Sequence, residues 1–336
     1  MRRRRDSVTI AVTMGDPCGI GPEVTLKALR RLRAPPHVRL AVIGDSSVLG
    51  RAARRLRLGA DPLRGQTPWF VDVRSRGAFT PGRTSRAAGR AALAYLDGAL
   101  RLWRAGRIQG LVTAPVTKWA IALERPDFVG QTEYLASASG RLRRDVVMLF
   151  VSDRLRVALV TRHVPLARVS RALTVSRLRA TIRMLHEALH RQFGIRRPTL
   201  VLCGLNPHAG EAGRCGREEL RIMRPVLARL RAEGIACDGP FAADGLFAGG
   251  VAAYDAVVCP YHDQGLIPFK LVSRDEGCQV SLGLPFVRTS PDHGSALDLA
   301  GQGLANPGSM LYALRLAIQL TTDKTVARWR SGEVAK

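Results

Sequence analysis

Val8-Thr-Ile-Ala-Val-Thr13, running into Met14-Gly-Asp-Pro-Cys-Gly-Ile-Gly-Pro-Glu23, reads as a first buried strand that turns through a glycine- and proline-rich loop into a helix near Pro22 to Leu32. The apolar stretch follows Arg2 to Arg5 much as a signal-peptide core follows its charged front. Asp6, Ser7 and Thr9 interrupt it, however, and the Met14 to Pro17 turn ends it too soon for an export signal, so a cytoplasmic protein is expected. The same rhythm continues outward from this segment. Short apolar runs at Val38 to Ile43, Gly110 to Thr113, Val146 to Val151, Arg156 to Thr161, Thr199 to Gly204 and Ala256 to Cys259 alternate with amphipathic stretches at Ala87 to Arg104, Ser176 to Phe193 and Glu218 to Glu233. That alternation specifies an α/β protein, in which ligands gather at the carboxyl ends of strands. Pro62 to Thr84, rich in Gly, Pro and Arg, reads as an irregular excursion. A two-domain division is expected with a cleft near Gly130, and a last helix at Ser309 to Thr322 returns to the first domain.

The 336 residues, 46% hydrophobic, can bury a substantial core and suit one large or two intimately joined domains. Nowhere do about 18 uncharged apolar residues run together, so no membrane span is expected. The six cysteines, at positions 18, 203, 215, 237, 259 and 278, form no C-x-x-C pair and fit free thiols better than a zinc cluster or a disulfide framework. A formal net charge of +25 raises the question of nucleic acid. Yet the arginines are dispersed along helices such as Leu178 to Arg191 and Glu218 to Arg231, and 5% aromatics leave few stacking platforms, so no specific nucleic-acid partner is expected. Only five of the 52 basic residues are lysine, at positions 27, 118, 270, 324 and 336. An ammonium is a compact point charge that can lose its proton when buried, and Arg cannot replace it in that role. Lys118 and Lys270 both stand in motif-like segments.

Three of the seven histidines follow a strand's carboxyl end: His163 in Thr161-Arg-His-Val-Pro-Leu166, His208 in Gly204-Leu-Asn-Pro-His-Ala-Gly-Glu211, and His262 in Tyr261-His-Asp-Gln-Gly265. Neutral imidazole is the commonest metal ligand, and three ligands leave positions open for substrate. Any one of them alone reads as a loop histidine; their shared placement makes a metal site, with Asp263 and Glu211 available to orient the rings. The Met14 to Glu23 loop matches neither G-x-G-x-x-G nor G-x-x-x-x-G-K-[ST], so a nucleotide must bind elsewhere. Asp292-His-Gly-Ser-Ala-Leu-Asp-Leu-Ala-Gly301, whose small residues let backbone approach a ligand, is the candidate. For an anionic substrate Arg288 offers a bidentate fork and Lys270 a mobile charge, while Gln131 and Thr132 add neutral hydrogen-bonding groups.

These segments, with Thr113-Ala-Pro-Val-Thr-Lys118, Tyr261-His-Asp-Gln-Gly-Leu-Ile-Pro-Phe-Lys270 and Gly283-Leu-Pro-Phe-Val-Arg-Thr-Ser290, resemble the 4-hydroxythreonine-4-phosphate dehydrogenase family almost end to end. The resemblance implies a two-domain α/β/α architecture similar to isocitrate and isopropylmalate dehydrogenases, with the active site in the interdomain cleft. Residues 1–130 plus 304–336 would form the first domain, and residues 131–303 the second, which carries the metal site and the dimer interface. It implies that His163, His208 and His262 bind one divalent metal (zinc, cobalt or magnesium), the ligands being drawn from both subunits of a homodimer. Gln131, Thr132, Lys270, Gln279 and Arg288 would bind substrate. Asp244, near the cleft, and the loop carrying His293, Gly294, Ser295, Ala296 and Asp298 would support NAD or NADP. Three positions depart from the family's usual pattern: Gln131 replaces His, Gln279 replaces Asn and Thr117 replaces Asn. Gln hydrogen-bonds but cannot carry positive charge, which places the departures at the substrate rather than at the metal.

The implied reaction oxidises the C3 hydroxyl of 4-phosphooxy-L-threonine, a small phosphorylated hydroxy amino acid, with hydride passing to NAD and the proton to Lys270 or a water on the metal. The β-keto acid then loses carbon dioxide. The rivals are a related dehydrogenase of 4-phospho-D-threonate, 4-phospho-D-erythronate or a dihydrodiol dicarboxylate, a metal-dependent phosphate-ester hydrolase, and a basic nucleic-acid-binding protein.

Overall fold

The computed structural model describes residues 7–58 and 69–322; Arg2 to Arg5 and Pro62 to Pro68 lie outside them. In chain order the first stretch contains β1 (Val8–Thr13), α1 (Gly21–Arg31), β2 (Val38–Gly44), α2 (Ser46–Arg55), β3 (Trp69–Asp72), α3 (Arg86–Arg104), β4 (Gly110–Thr113), α4 (Lys118–Ala122) and α5 (Gln131–Ala138). The middle contains β5 (Val147–Ser152), β6 (Arg156–Leu159), α6 (Val169–Ala172), α7 (Val175–Arg191), β7 (Thr199–Cys203), α8 (Arg224–Ala232), β8 (Ala236–Phe241), α9 (Ala243–Gly245), β9 (Ala256–Cys259), α10 (His262–Ser273) and β10 (Gly277–Leu282). The chain closes with β11 (Val287–Pro291) and α11 (Gly308–Thr322). These elements divide into two compact units, the first up to residue 143 and again from residue 284, the second from 144 to 283.

In the first unit the strands run in the order β3-β2-β1-β4-β11, and every pairing is parallel. Ile10 to Thr13 are buried throughout, as a parallel strand covered on both faces must be, which is why they read as an unbroken apolar run. From β1 the chain winds outward through β2 to β3, then returns to place β4 on the other side of β1. The carboxyl ends of β1 and β4 therefore flank the point where the winding reverses, and Thr13 is in register with Thr113 there. Helix α3 starts where the Ser85 hydroxyl accepts the Ala88 N–H at 3.2 Å, and it buries Ala88, Ala91, Ala92, Tyr95, Leu96 and Ala99 at three- and four-residue spacing. Gly89 on that face has no alternative, since a Cβ there would lie 2.1 Å from the Ala120 carbonyl oxygen.

The second unit orders its strands β10-β5-β6-β9-β7-β8. β10, β5 and β6 pair antiparallel, while β6, β9, β7 and β8 are mutually parallel. Its core gathers Met148, Phe150, Val157, Val201, Val257 and Leu266 around Phe269 of α10, which meets Phe150 edge-on at 5.6 Å.

Four expectations are corrected. The unit boundaries fall at 143/144 and 283/284, not at 130/131 and 303/304. The reason is local: α5 is tied to the first unit by Gln131 Nε2 on the Ala114 carbonyl and by Arg104 on the Ala138 carbonyl, and β11 pairs with β4. Within the supposed excursion Pro62 to Thr84, Trp69–Asp72 is a strand, in register with Ala41 to Gly44. The segment after Cys259 is helix α10 rather than loop, despite Gly265 and Pro268 inside it. The Glu218 to Glu233 helix opens with a wide turn at Glu219–Met223 before α8.

Candidate active site

Four neighbouring parallel strands of the second unit, β6, β9, β7 and β8, deliver His163, His262, His208 and Asp244 beyond their carboxyl ends, on one edge of the sheet. The β6–β9 pairing continues past the strands: Val160 N donates to the Cys259 carbonyl (2.9 Å) and Thr161 N to the Pro260 carbonyl (3.1 Å). Two residues on from each partner stand His163 and His262, with ring centroids 5.8 Å apart. His262 Nδ1 lies 2.7 Å from Asp263 Oδ1, an arrangement that fixes the ring and leaves Nε2 as its open nitrogen. Burial, then the neighbouring Cys259 and Asp263, raise the Tyr261 hydroxyl above its ordinary pKa.

His208 is held differently. It begins a run, His208 to Ala212, in which every φ is positive, between 42° and 81°. This turn rests on Glu219, 1% exposed, whose carboxylate accepts Leu205 N and Asn206 N at 2.8 Å each and Asn206 Nδ2 at 3.0 Å. Gln264 of α10 donates to the Gly204 carbonyl at 2.6 Å, tying this loop to the helix that His262 opens. Glu211 approaches His208 Nδ1 only to 4.0 Å, so the orienting bond expected there is not made. Among the described residues, no three of His, Cys, Asp or Glu are grouped to hold a metal ion. One chain thus brings together His163 and His262, and His208 does not join them. Lys270 is exposed on the last turn of α10, Gln279 is buried on β10 with Nε2 on the Ser281 hydroxyl at 3.1 Å, and Asp244 is exposed on α9.

The first unit holds the remaining residues. Arg288, 2% exposed on β11, donates from Nε (3.2 Å) and Nη2 (2.6 Å) to the Thr113 hydroxyl and from Nη1 to Thr132 (3.1 Å). Its fork is thereby aimed where β4 ends and α5 begins. Gln131 donates to the Ala114 carbonyl at 3.2 Å and leaves its Oε1 buried without a hydrogen-bond partner. The 292–298 loop is stapled to the first loop and to α4: Ile20 N donates to the Ser295 carbonyl (2.9 Å), and the Ser295 and Thr117 hydroxyls share a 2.8 Å bond. His293 Nδ1 meets the Gly294 carbonyl at 3.0 Å, its Nε2 is buried without a partner, and Ala296 takes a φ of 36°. Gly294 and Asp298 are exposed. A buried nitrogen beside small residues suits a nucleotide's polar edge. Sequence reasoning missed Glu219, Gln264 and Thr113; Gln264 and Thr113 lie inside motifs already singled out, while Glu219 carries no local signal.

The family model described as "Pyridoxal phosphate biosynthetic protein PdxA" matches residues 37–317. The chain is 44% identical over 320 residues to a Chromobacterium violaceum protein named 4-hydroxythreonine-4-phosphate dehydrogenase, covering 93% of this chain and 96% of that one. A solved structure of a 4-hydroxythreonine-4-phosphate dehydrogenase from Klebsiella pneumoniae is similar at 34% identity and a TM-score of 0.80, covering 94% of this chain and 99% of that one. A terephthalate 1,2-cis-dihydrodiol dehydrogenase from Burkholderia xenovorans is similar at 34% identity and a TM-score of 0.63, over 93% and 98%.

Proposed function

The chain belongs to the PdxA family of pyridoxal phosphate biosynthetic proteins, and on that footing we propose that it oxidises the C3 hydroxyl of 4-phosphooxy-L-threonine, using NAD and a divalent metal, as a homodimer. The dehydrogenase reading follows its relatives' names. The observation that carries the metal is the convergence of His163 and His262, with Asp263 fixing the His262 ring.

The donor set fits a zinc, cobalt or magnesium ion held by His163 and His262, with His208 supplied by the second subunit. Exposed apolar side chains near that pair support an interface: Leu166 three residues after His163, and Ile267 and Leu271 on α10, 61% and 74% exposed. When bound, the metal polarises the C3 hydroxyl and NAD accepts the hydride. Arg288, steadied by Thr113 and Thr132, holds the phosphate in a charge-assisted fork. Lys270 takes the hydroxyl proton. The product, 2-amino-3-oxo-4-phosphooxybutanoate, is a β-keto acid whose carboxylate leaves as carbon dioxide, giving 3-amino-2-oxopropyl phosphate. Ser295 and His293 face the adenosine side of NAD or NADP.

The test is NADH absorbance with and without chelator, across 4-phosphooxy-L-threonine, 4-phospho-D-threonate, 4-phospho-D-erythronate and a dihydrodiol dicarboxylate, the last because of the Burkholderia structure. Metal-dependent NADH from the first substrate alone is expected; a normal rate only with another sinks the assignment, as does phosphate release without NAD. Sharing of the site is tested by mixing His208→Ala with His262→Ala protein. Each is inactive alone, and random re-pairing restores about a quarter of the wild-type rate, because only the mixed dimer has one intact site.

A further inference from the structure

We propose that Lys118 is a further positioning residue of this enzyme, its ammonium binding the substrate's phosphate monoester alongside Arg288; this rests on the dehydrogenase reading for the identity of the ligand. Lys118 is one of five lysines in a chain that otherwise uses arginine, and it is the first residue of α4, just beyond the carboxyl end of β4 at the reversal of the sheet. Its backbone is fixed. Thr117 hydrogen-bonds Ser295, and Ala120 and Ile121 behind it are fully buried. Its side chain, by contrast, is exposed and carries no hydrogen bond or ion pair among the described residues. That side chain reaches over the start of α5, for its Cε lies 3.8 Å from where a Cβ on Gly130 would stand. The next two residues are Gln131, whose buried Oε1 has no partner, and Thr132, which accepts from Arg288.

The grouping has a definite chemistry. A phosphate monoester is a dianion, and a single guanidinium leaves one charge unneutralised; an unpaired ammonium at the edge of the same cluster supplies the second cation. The vacant acceptor of Gln131 takes a donor from the same ligand end, a hydroxyl or an ammonium, rather than another phosphate oxygen. Glu133 is the competing partner, because its Oε2 lies 2.9 Å from the same Gly130 Cβ point. Were Lys118 only its counter-ion, the lysine would serve the fold.

The experiment uses the full-length holoenzyme and its Lys118→Gln, Lys118→Arg and Arg288→Gln variants. It combines steady-state kinetics with calorimetric titration of inorganic phosphate, Arg288→Gln giving the blank for phosphate bound elsewhere. Loss of one charge-assisted contact is expected to raise the KM for the phosphorylated substrate, and weaken phosphate binding, on the order of 10- to 100-fold. The KM for NAD and the melting temperature stay unchanged, and Lys118→Arg recovers part of the loss. Unchanged phosphate binding in Lys118→Gln overturns the proposal, as does a rise confined to the KM for NAD, or a lowered melting temperature that Glu133→Gln restores. Lys118-dependent phosphate binding by a protein that makes no NADH refutes the dehydrogenase reading and leaves this assignment standing.

Discussion

Replacing Glu219 by alanine removes the acceptor from two backbone N–H groups and one side-chain amide at a position only 1% exposed, where water cannot take its place without rearrangement. Asn206 Nδ2 keeps a second acceptor, Glu218 Oε2, at 2.9 Å, so the two backbone donors decide the magnitude. Each buried donor left unsatisfied costs about 1–3 kcal/mol. Part of that is offset because a carboxylate no longer has to be desolvated, which leaves a net destabilisation of about 2–4 kcal/mol. Glu219→Gln retains an oxygen for the backbone pair but turns an NH2 toward the Asn206 amide, costing about 1–2 kcal/mol. Since Glu219 anchors the turn that begins at His208, the proposed metal-dependent activity falls further than stability requires. Urea unfolding at fixed protomer concentration, with kcat/KM determined with added divalent metal, measures both. If Glu219→Ala unfolds within about 0.5 kcal/mol of wild type and retains full activity, the carboxylate does not organise the loop, and the account of how His208 is held is wrong.

Other perturbations test other parts of the structure. Lys27 Nζ donates to Glu23 and to the Gly303 and Ala305 carbonyls at 2.7, 2.7 and 2.8 Å; Lys27→Met leaves these acceptors short of a donor and lowers stability by about 2–3 kcal/mol in the same urea assay. A Cβ at Gly265 would meet Val157 Cγ1 at 2.4 Å and Cys259 Sγ at 2.9 Å, so Gly265→Ala costs about 1–3 kcal/mol. Gly245→Ala, into open space, is neutral. Burial pushes the Cys18 thiol up to about 11 and Cys237 up to about 12, and holds Cys259 well above its ordinary value; half-buried Cys215 is therefore the one thiol that reacts fast with a disulfide reagent at pH 8, and six react after unfolding. The Ser170 hydroxyl, then the Asn206 amide, hold the Glu218 carboxyl below its ordinary pKa. A depressed folded value stabilises above the unfolded pKa and is lost as pH falls, so the stability gap between wild type and Glu218→Gln closes below about pH 4.

Much of the frame was legible because parallel strands buried on both faces leave continuous apolar runs, as at Val8 to Thr13 and Ala256 to Cys259. The three histidines follow strands β6, β9 and β7, which are neighbours of one direction and so leave them on one edge of the sheet, yet among the described residues they are not gathered into one cluster; nothing in the sequence spacing shows which strands are adjacent. β3, β8, β10 and β11 escaped notice: β3 is short and only partly buried, β8 carries Gly239 and Pro240, and Gln279 and Ser281 in β10, like Arg288, Thr289 and Ser290 in β11, interrupt strands that are buried throughout. Helix α10 was hidden by its own Gly265 and Pro268, ordinarily breakers, and it holds because Leu266 and Phe269 pack into the core. Glu219 could not be found at all. A buried carboxylate is recognised by the donors around it, and those come from residues 205 and 206.

The turn from His208 to Ala212 has a consequence for heredity as well as for geometry. Four of its five residues are not glycine and all sit at positive φ, a conformation that costs L-residues roughly 1–2 kcal/mol apiece. The alphabet permitted there is short: glycine, asparagine or aspartate enters at no loss, whereas valine, isoleucine or threonine is barred by its branched Cβ. A lineage that kept this fold but had no further use for a histidine in that direction would be rid of the constraint at once, and branched residues would enter the turn. The letters at 209, 211 and 212 therefore offer a test, readable without any structure, of whether a distant chain of this architecture still holds its loop in the left-handed form.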